Sequence, residues 1–169
     1  VLGGAPLNVL VRLRSLGADA SIISRRGDDA DGAELLRQIE EKNVHSNLLQ
    51  VDKTQATSLV KVKLDRSGSA SYDIVYPCAW DRIEVEPAAL ARVAESDAFI
   101  FGSLSTRDEV SRASLAQLLE QAKFKIFDVN LRPPHYEIER ILATMKLADL
   151  VKLNDDELHE IASTLGSKY

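Results

Sequence analysis

The chain has 169 residues, with 21 Lys and Arg against 26 Asp and Glu and a formal net charge of -5; 45% of its residues are hydrophobic and 28% charged. This is the composition of an ordinary soluble globular protein with enough chain for a proper core. It argues against a nucleic-acid groove, because the densest basic run, Arg25-Arg26, is offset at once by Asp28, Asp29 and Asp31. No segment has the length and apolarity of a membrane span and none reads as a leader. The single cysteine, Cys78, excludes a disulfide framework or a thiolate metal cluster and fits a reducing cytosol.

In chain order, Val1 to Pro6 reads as the interior of a protein, without an initiator Met. Pro6 suits the first turn of a helix, where its missing N–H costs nothing, and Leu7, Leu10, Val11, Leu13 and Leu16 continue that helix to Gly17. Ala20 to Ser24 reads as a strand. Gly27 to Gly32 forms a polar turn into a second helix with Leu35, Leu36 and Ile39 on its buried face. Ser58 to Asp65 alternates apolar and polar residues, the period of a strand with one wet face. Arg66-Ser67-Gly68-Ser69 supplies turn chemistry, and Ala70 to Tyr76 leads back. With Asn47 to Val51 ahead of them, these segments predict a small antiparallel sheet over 47–76, inserted between 1–46 and 77–169. Pro77 and Pro87 bracket the return, on which Trp80 serves as an anchor.

From Pro87 the rhythm is helix, strand, helix, strand. The apolar runs 98–101, 124–127 and 150–153 alternate with amphipathic segments over 111–122 and 136–148, which predicts an α/β fold of parallel strands and helical crossovers. Each run ends in a polar or glycine-containing group: Gly102-Ser103, Asp128 to Arg132, and Asn154 to Glu157. Gly102, Asp128 and Asn154 stand at equal intervals, so successive units deliver three polar clusters to one edge of the sheet, where α/β proteins bind ligands. Asn154 and Glu157 allow two readings. Asn at an N-cap with Glu three residues on resembles a capping box; the same pair at a helix start can serve a phosphate and its magnesium.

Taken together the motifs resemble the PfkB family, the ribokinase- and fructokinase-like carbohydrate kinases. Gly3-Gly4-Ala5-Pro6-Leu7-Asn8 is similar to the family's GG-x-x-x-N, and Gly27 to Gly32 to its G-x-D-x-x-G turn. Phe127 to Pro134 is similar to the F-D-x-N-x-R-P of the fructokinase and ketodeoxygluconate kinase branches, and Asn154 to Glu157 to its N-x-x-E. The resemblance implies a ribokinase-like parallel sheet flanked by helices, the 47–76 insertion being a β lid over the sugar and a possible homodimer contact. It implies ATP-dependent phosphorylation of a sugar hydroxyl, most simply of fructose, with ATP and Mg²⁺ as cofactors and no nucleic-acid or membrane partner. The family begins with a strand before Gly3 and ends with a second half carrying a G-A-G-D loop, the catalytic base and most of the adenine pocket. The chain is therefore expected to be the central part of such a kinase, inactive alone.

By the same resemblance Gly3, Gly4, Asn8, Gly102, Ser103, Asn130 and Arg132 would face the sugar. Asn154 and Glu157 would lie on the nucleotide side, with Glu157 holding magnesium through water. The residues themselves keep plainer readings open. Gly3 and Gly4 can simply make a turn. Arg132 can pair with Glu137 or Asp128, or offer its planar fork to a carboxylate or phosphate. Asp128 can cap the Pro133-Pro134 turn, or orient Asn130 and a magnesium-bound water. His45, His135 and His159 share no ligand spacing and read as solvated. Two other functions fit: a sibling kinase acting on an acidic sugar such as 2-keto-3-deoxygluconate, and a non-catalytic sugar-binding or assembly module. An open reading frame that continues into a G-A-G-D segment favours a kinase over the module.

Overall fold

Pro6 opens the first helix, α1 (Ala5–Ser15), which buries Leu7 and Leu10. Gly17, at φ 85°, closes it: Ala18 N donates to Leu13 O (3.0 Å) and Gly17 N to Arg14 O (3.0 Å), a left-handed terminal turn that a glycine enters without strain. The computed structural model describes residues 3–42, 44–64 and 70–166, of which 61–64 and 70–72 by backbone alone. Two units are distinguished, Val1–Ile83 and Glu84–Tyr169, each treated by itself.

In the first unit, β1 (Ser24–Gly27), α2 (Ala30–Glu41) and β2 (Leu49–Asp52) form a β-α-β unit whose strands pair in parallel, Ser24 opposite Leu49 and Gly27 opposite Asp52. Two expectations change here. The strand placed at Ala20 to Ser24 lies later, and Asn47 to Val51, assigned to the antiparallel sheet, instead supplies β2 beside β1. Ala20 and Ile22 are apolar because they pack on the core of Leu7, Leu10, Ile39 and Val44, not because they carry a ladder. Ser21 makes an isolated bridge to His45, and the turn closed by Leu49 N on Ser46 O intervenes before the ladder proper. The strand is a polar Ser-Arg-Arg-Gly segment, held by Arg25 Nε against Asp52 at 3.0 Å and Arg25 Nη1 on Arg82 O at 2.6 Å.

β3 (Val60–Leu64) and β4 (Ala70–Ile74) pair antiparallel, as expected, but as a sheet of these two strands without the 47–51 segment; the turn residues Arg66 to Ser69 lie outside the described residues. A 3₁₀ turn over Ala79–Arg82 follows, carrying Trp80 half-buried. Buried Asp81 there accepts from Cys78 N at 2.9 Å.

The second unit follows the predicted alternation: α3 (Pro87–Glu95), β5 (Phe99–Gly102), α4 (Glu109–Gln121), β6 (Lys125–Asp128), α5 (Ile138–Met145), β7 (Leu150–Lys152) and α6 (Asp155–Thr164). The three strands lie in the order β5-β6-β7, all parallel. Phe101 and Phe127 are opposite one another, stacked at 5.2 Å between ring centroids, and form one core with Leu115 and Leu119 of α4, Ile141 of α5 and Ile161 of α6. This is the expected α/β class, parallel sheets flanked by helices. Among the described residues no helix is long and apolar enough to cross a membrane.

Two carboxylates of the first unit make its stability sensitive to acid. Hydrogen bonds from Thr57 N and Oγ1, reinforced by Gly32 N, hold the Asp29 carboxyl below the usual range against the effect of burial. Burial pushes Asp52 up, but hydrogen bonds from Thr54 and Gln55 and the Arg25 charge outweigh it and leave it low as well. Both groups are thus more acidic folded than unfolded. The stability they add is complete above the unfolded carboxylate value of about 3.9 and is lost as pH falls through their lower folded values. Urea unfolding from neutral pH down to pH ~2 should show this loss, and Asp52→Asn should flatten it; an equally steep acid dependence in the variant would exclude Asp52 as a contributor.

Candidate active site

The parallel ladder sets the edge on which the polar groups gather. Gly102 stands opposite Asp128, and Asp128 opposite Lys152. Asn154 follows Leu153 beyond the end of β7, so the equal sequence intervals become a stagger: the third group lies on the helix start rather than on the strand. The last strand pair is charged, Lys152 Nζ donating to Asp128 Oδ1 at 2.9 Å. Asp128 therefore has a strand partner and does not cap the Pro133-Pro134 turn, which is closed by His135 N on Arg132 O at 2.8 Å. Glu137 pairs with Arg140 at 2.8 Å.

Past β6 the chain keeps an inward alternation. Val129 and Leu131 are buried, and Val129 N extends the ladder to Lys152 O at 2.9 Å. Asn130 between them adopts φ 45°, the left-handed region in which Asn is among the few tolerated side chains. Two contacts hold this kink. Ser103, 1% exposed, donates its hydroxyl to Asn130 O at 3.2 Å, and Leu131 N donates to Glu157 Oε1 at 2.9 Å. Arg132, half-buried, directs Nη1 to Leu131 O at 2.7 Å. Tyr136 donates its hydroxyl to Glu160 on α6, which holds the phenol proton and pushes its pKa up to about 12.

Glu157 is 5% exposed and uses both carboxylate oxygens on backbone, Oε1 on Leu131 N and Oε2 on Asn154 N at 2.9 Å. Asn154 Oδ1 in turn accepts from Glu157 N at 2.9 Å. The capping-box reading of this pair is thus realised, and the same carboxylate reaches further, tying the loop after β6 to the start of α6.

The residues Gly3, Gly4 and Asn8 form their own group in the first unit. Gly4 is the N-cap of α1 at φ 107°, a backbone state that side chains rarely enter, and its carbonyl accepts from Asn8 N at 3.0 Å. Gly3, Gly4 and the Asn8 side chain are exposed. The second unit brings together Gly102, Ser103, Asp128, Asn130, Arg132, Asn154 and Glu157. Ser103 and Glu157 face inward as braces, while Asn154 is open to solvent. The sequence reading missed the Asp29–Thr57 contact of the first unit. The signal available was the Asp inside the Gly27 to Gly32 turn, which needs a partner for a carboxylate it half-buries.

The donor set suits magnesium only indirectly. Among the described residues no group of three or more His, Cys, Asp or Glu is placed to hold a metal ion. Glu157 has each oxygen engaged by one N–H and retains acceptor capacity for a water. The start of α6 is a poor phosphate site by itself, because Asp155, Asp156 and Glu157 put three carboxylates in its first turn where a bare helix N-terminus would attract an anion. A cation between those carboxylates and a polyphosphate removes the conflict.

A ribokinase-like α/β chain with this strand-edge cluster has clear relatives. Residues 1–168 match the pfkB family of carbohydrate kinases. The chain is 30% identical to a fructokinase of Klebsiella pneumoniae over 96% of its own length and 55% of that protein. It is also 30% identical to an aminoimidazole riboside kinase of Salmonella typhimurium over 95% of its length and 53% of that protein. The crystal structure of Xylella fastidiosa fructokinase with bound ATP superposes with a TM-score of 0.86 at 27% identity, covering 98% of this chain and 54% of that one. The chain belongs to the PfkB family. It spans about half the length of the curated relatives it matches.

Removing the brace should be costly in proportion to the acceptors lost. Glu157→Ala strands the buried Leu131 N–H and opens the capping box, at about 1–3 kcal/mol for each unsatisfied group. Glu157→Gln keeps one acceptor and should lose roughly half as much. Urea denaturation of the two variants checks this, and equal destabilisation would show that the bond to only one backbone N–H matters.

Proposed function

We propose that this chain supplies the sugar-binding and part of the phosphate-side machinery of an ATP-dependent sugar kinase, with fructose as the foremost substrate. The observation that carries the reading is the braced strand edge: Glu157 joining the loop after β6 to the helix after β7, and Ser103 joining the loop after β5 to Asn130. Similarity to fructokinases, one of them with ATP bound, supports the substrate class and the nucleotide. Similarity to an aminoimidazole riboside kinase at the same identity keeps the choice of sugar a matter for measurement.

In this reading Gly3, Gly4 and Asn8 contact the sugar, the glycines by bringing bare backbone close to hydroxyls and Asn8 by offering donor and acceptor together. The β3–β4 hairpin covers the sugar and excludes water that would otherwise take the phosphoryl group. Gly102 and Ser103 form the floor, Asn130 and Arg132 orient the sugar, and Asn154 reaches the phosphates. Magnesium, held through water by Glu157 with weaker help from Asp128, would neutralise phosphate charge. The chain's own residues position and brace, which is one part of what phosphoryl transfer asks of a protein, electrostatic stabilisation of the transferring group being the other. The exposed Leu59, Val60, Val75 and Tyr76, 43–52% accessible, support a second copy meeting the hairpin. The single buried Cys78 fits a cytoplasmic setting.

The general base and the donors for the transferring phosphoryl are assigned to the part of the family's length that this chain does not span. Loss of a base costs about 10²–10⁴-fold and of each such donor roughly 10²–10³-fold, so the chain alone should show no turnover while the full-length gene product does. A coupled ATP assay with fructose and with 2-keto-3-deoxygluconate, run on both, decides the activity and the sugar; robust turnover by the chain alone would overturn the division of labour. In the full-length protein Glu157→Gln should lower turnover and raise the magnesium concentration needed for half-maximal rate. If only stability changes, Glu157 is a brace and no more.

A further inference from the structure

The two legs of the β3–β4 hairpin are tied together at its base, where Ala79 N donates to Ala56 O at 2.9 Å. The next residue of the incoming leg, Thr57, is locked by Asp29 at the start of α2. Thr57 Oγ1 donates to Asp29 Oδ1 at 2.7 Å and Thr57 N to Asp29 Oδ2 at 2.8 Å. The ring is completed by Gly27 N, which donates to Thr57 Oγ1 at 2.8 Å, and by Gly32 N, which donates to Asp29 Oδ1 at 2.7 Å. Both carboxylate oxygens and the hydroxyl are therefore engaged, in a contact between segments 28 residues apart in sequence.

The glycines of the turn are explained by this ring. A Cβ on Gly27 would lie 2.5 Å from Asp29 Oδ2 and 2.6 Å from Thr57 N, and one on Gly32 would lie 2.3 Å from Gly27 O and 2.8 Å from Thr57 Oγ1. Neither position needs glycine for its φ. Both need it for space, so the G-x-D-x-x-G turn is shaped around Thr57. Just beyond this point the hairpin legs turn outward to solvent: Leu59 and Val60 on one side and Val75 and Tyr76 on the other are all more than two-fifths exposed.

The geometry points to Asp29, acting through Thr57, as the residue that positions the β3–β4 hairpin, fixing the point at which it leaves the β-α-β unit. The consequence for sugar phosphorylation rests on the reading of the hairpin as the cover over the sugar. A cover whose base is loose closes less often, which weakens sugar capture and lets water reach the phosphoryl group. Asp29 and Thr57 touch neither sugar nor nucleotide in this account.

The test uses the full-length gene product with Thr57→Val, which keeps the shape and removes the hydroxyl, and Thr57→Ser, which keeps the hydroxyl. Asp29→Asn is a second route, losing the acceptor for Thr57 N while Oδ1 still caps α2. Asp29→Asn should speed hydrogen exchange at the amides of the hairpin base about fivefold to tenfold, as loss of one good hydrogen bond predicts, and Thr57→Val, which removes both the bond to Asp29 Oδ1 and the one from Gly27 N, by at least as much, with the amides of β6 unchanged and Thr57→Ser near wild type. Unchanged exchange at the hairpin base in both variants would overturn the positioning role. Kinetics then read what the positioning serves. A higher KM for the sugar, an unchanged KM for ATP and a larger share of ATP hydrolysed without sugar phosphate, all restored in Thr57→Ser, support the cover. Faster exchange with sugar KM and coupling both intact would leave Asp29 as the anchor and overturn the cover itself.

Discussion

The strand edge where the polar groups gather depends on one buried carboxylate. Parallel strands end with their outgoing N–H groups unpaired, and each loop that leaves the sheet must find other acceptors or water. Glu157 provides them for two loops at once, taking Leu131 N after β6 and Asn154 N after β7. A neutral acceptor with one oxygen serves only one of these. At 5% exposure its two oxygens are satisfied from two elements, Oε1 by Leu131 N on the loop after β6 and Oε2 by Asn154 N at the N-cap of α6. With Leu131 fixed on one side and Ser103 fixing the Asn130 carbonyl on the other, the left-handed kink at Asn130 has no neighbouring freedom to relax into.

This explains why the N-x-x-E group supports two readings in the sequence. The capping box and the brace on the loop after β6 use the same carboxylate. A capping box satisfies only its own helix, whereas here the glutamate also reaches the preceding β-α unit. The added contact is what makes a local helix signal into an organiser of the strand edge. It was not legible in the sequence because Leu131 offers only its backbone, and a backbone N–H leaves no mark on residue type.

Much of the second unit was legible for the opposite reason. Phe99 to Phe101, Lys125 to Phe127 and Leu150 to Lys152 are strands whose inward side chains meet helices, and burial writes itself into residue type as apolar runs. In the first unit burial and pairing separate. Ala20 and Ile22 are apolar and partly buried against the core without a regular ladder, while the ladder runs through Ser24, Arg25 and Arg26, polar residues stabilised by Asp52 and by the carbonyl of Arg82. Periodicity reports the first property and is blind to the second. The antiparallel hairpin was found because alternation and a turn signal occur within a short stretch. The parallel partner of β2 was missed because α2 lies between the two strands, and a crossover pairing carries no adjacent signal.

The glycines of the motifs divide by physical cause, and the division assigns them different work. Gly4 sits at φ 107° with nothing within 4 Å of where a Cβ would be, so its conformation is demanded by the backbone and its surroundings are open. That is the condition for a surface on which a ligand can approach bare chain. Gly27 and Gly32 carry no unusual φ, and a Cβ at either would meet protein atoms inside 3 Å. The space beside them is already filled by Asp29, Thr57 and neighbouring backbone oxygens. Two glycine motifs that look alike in sequence are therefore open bare backbone in one case and a packed joint in the other. Only the joint constrains where the hairpin begins.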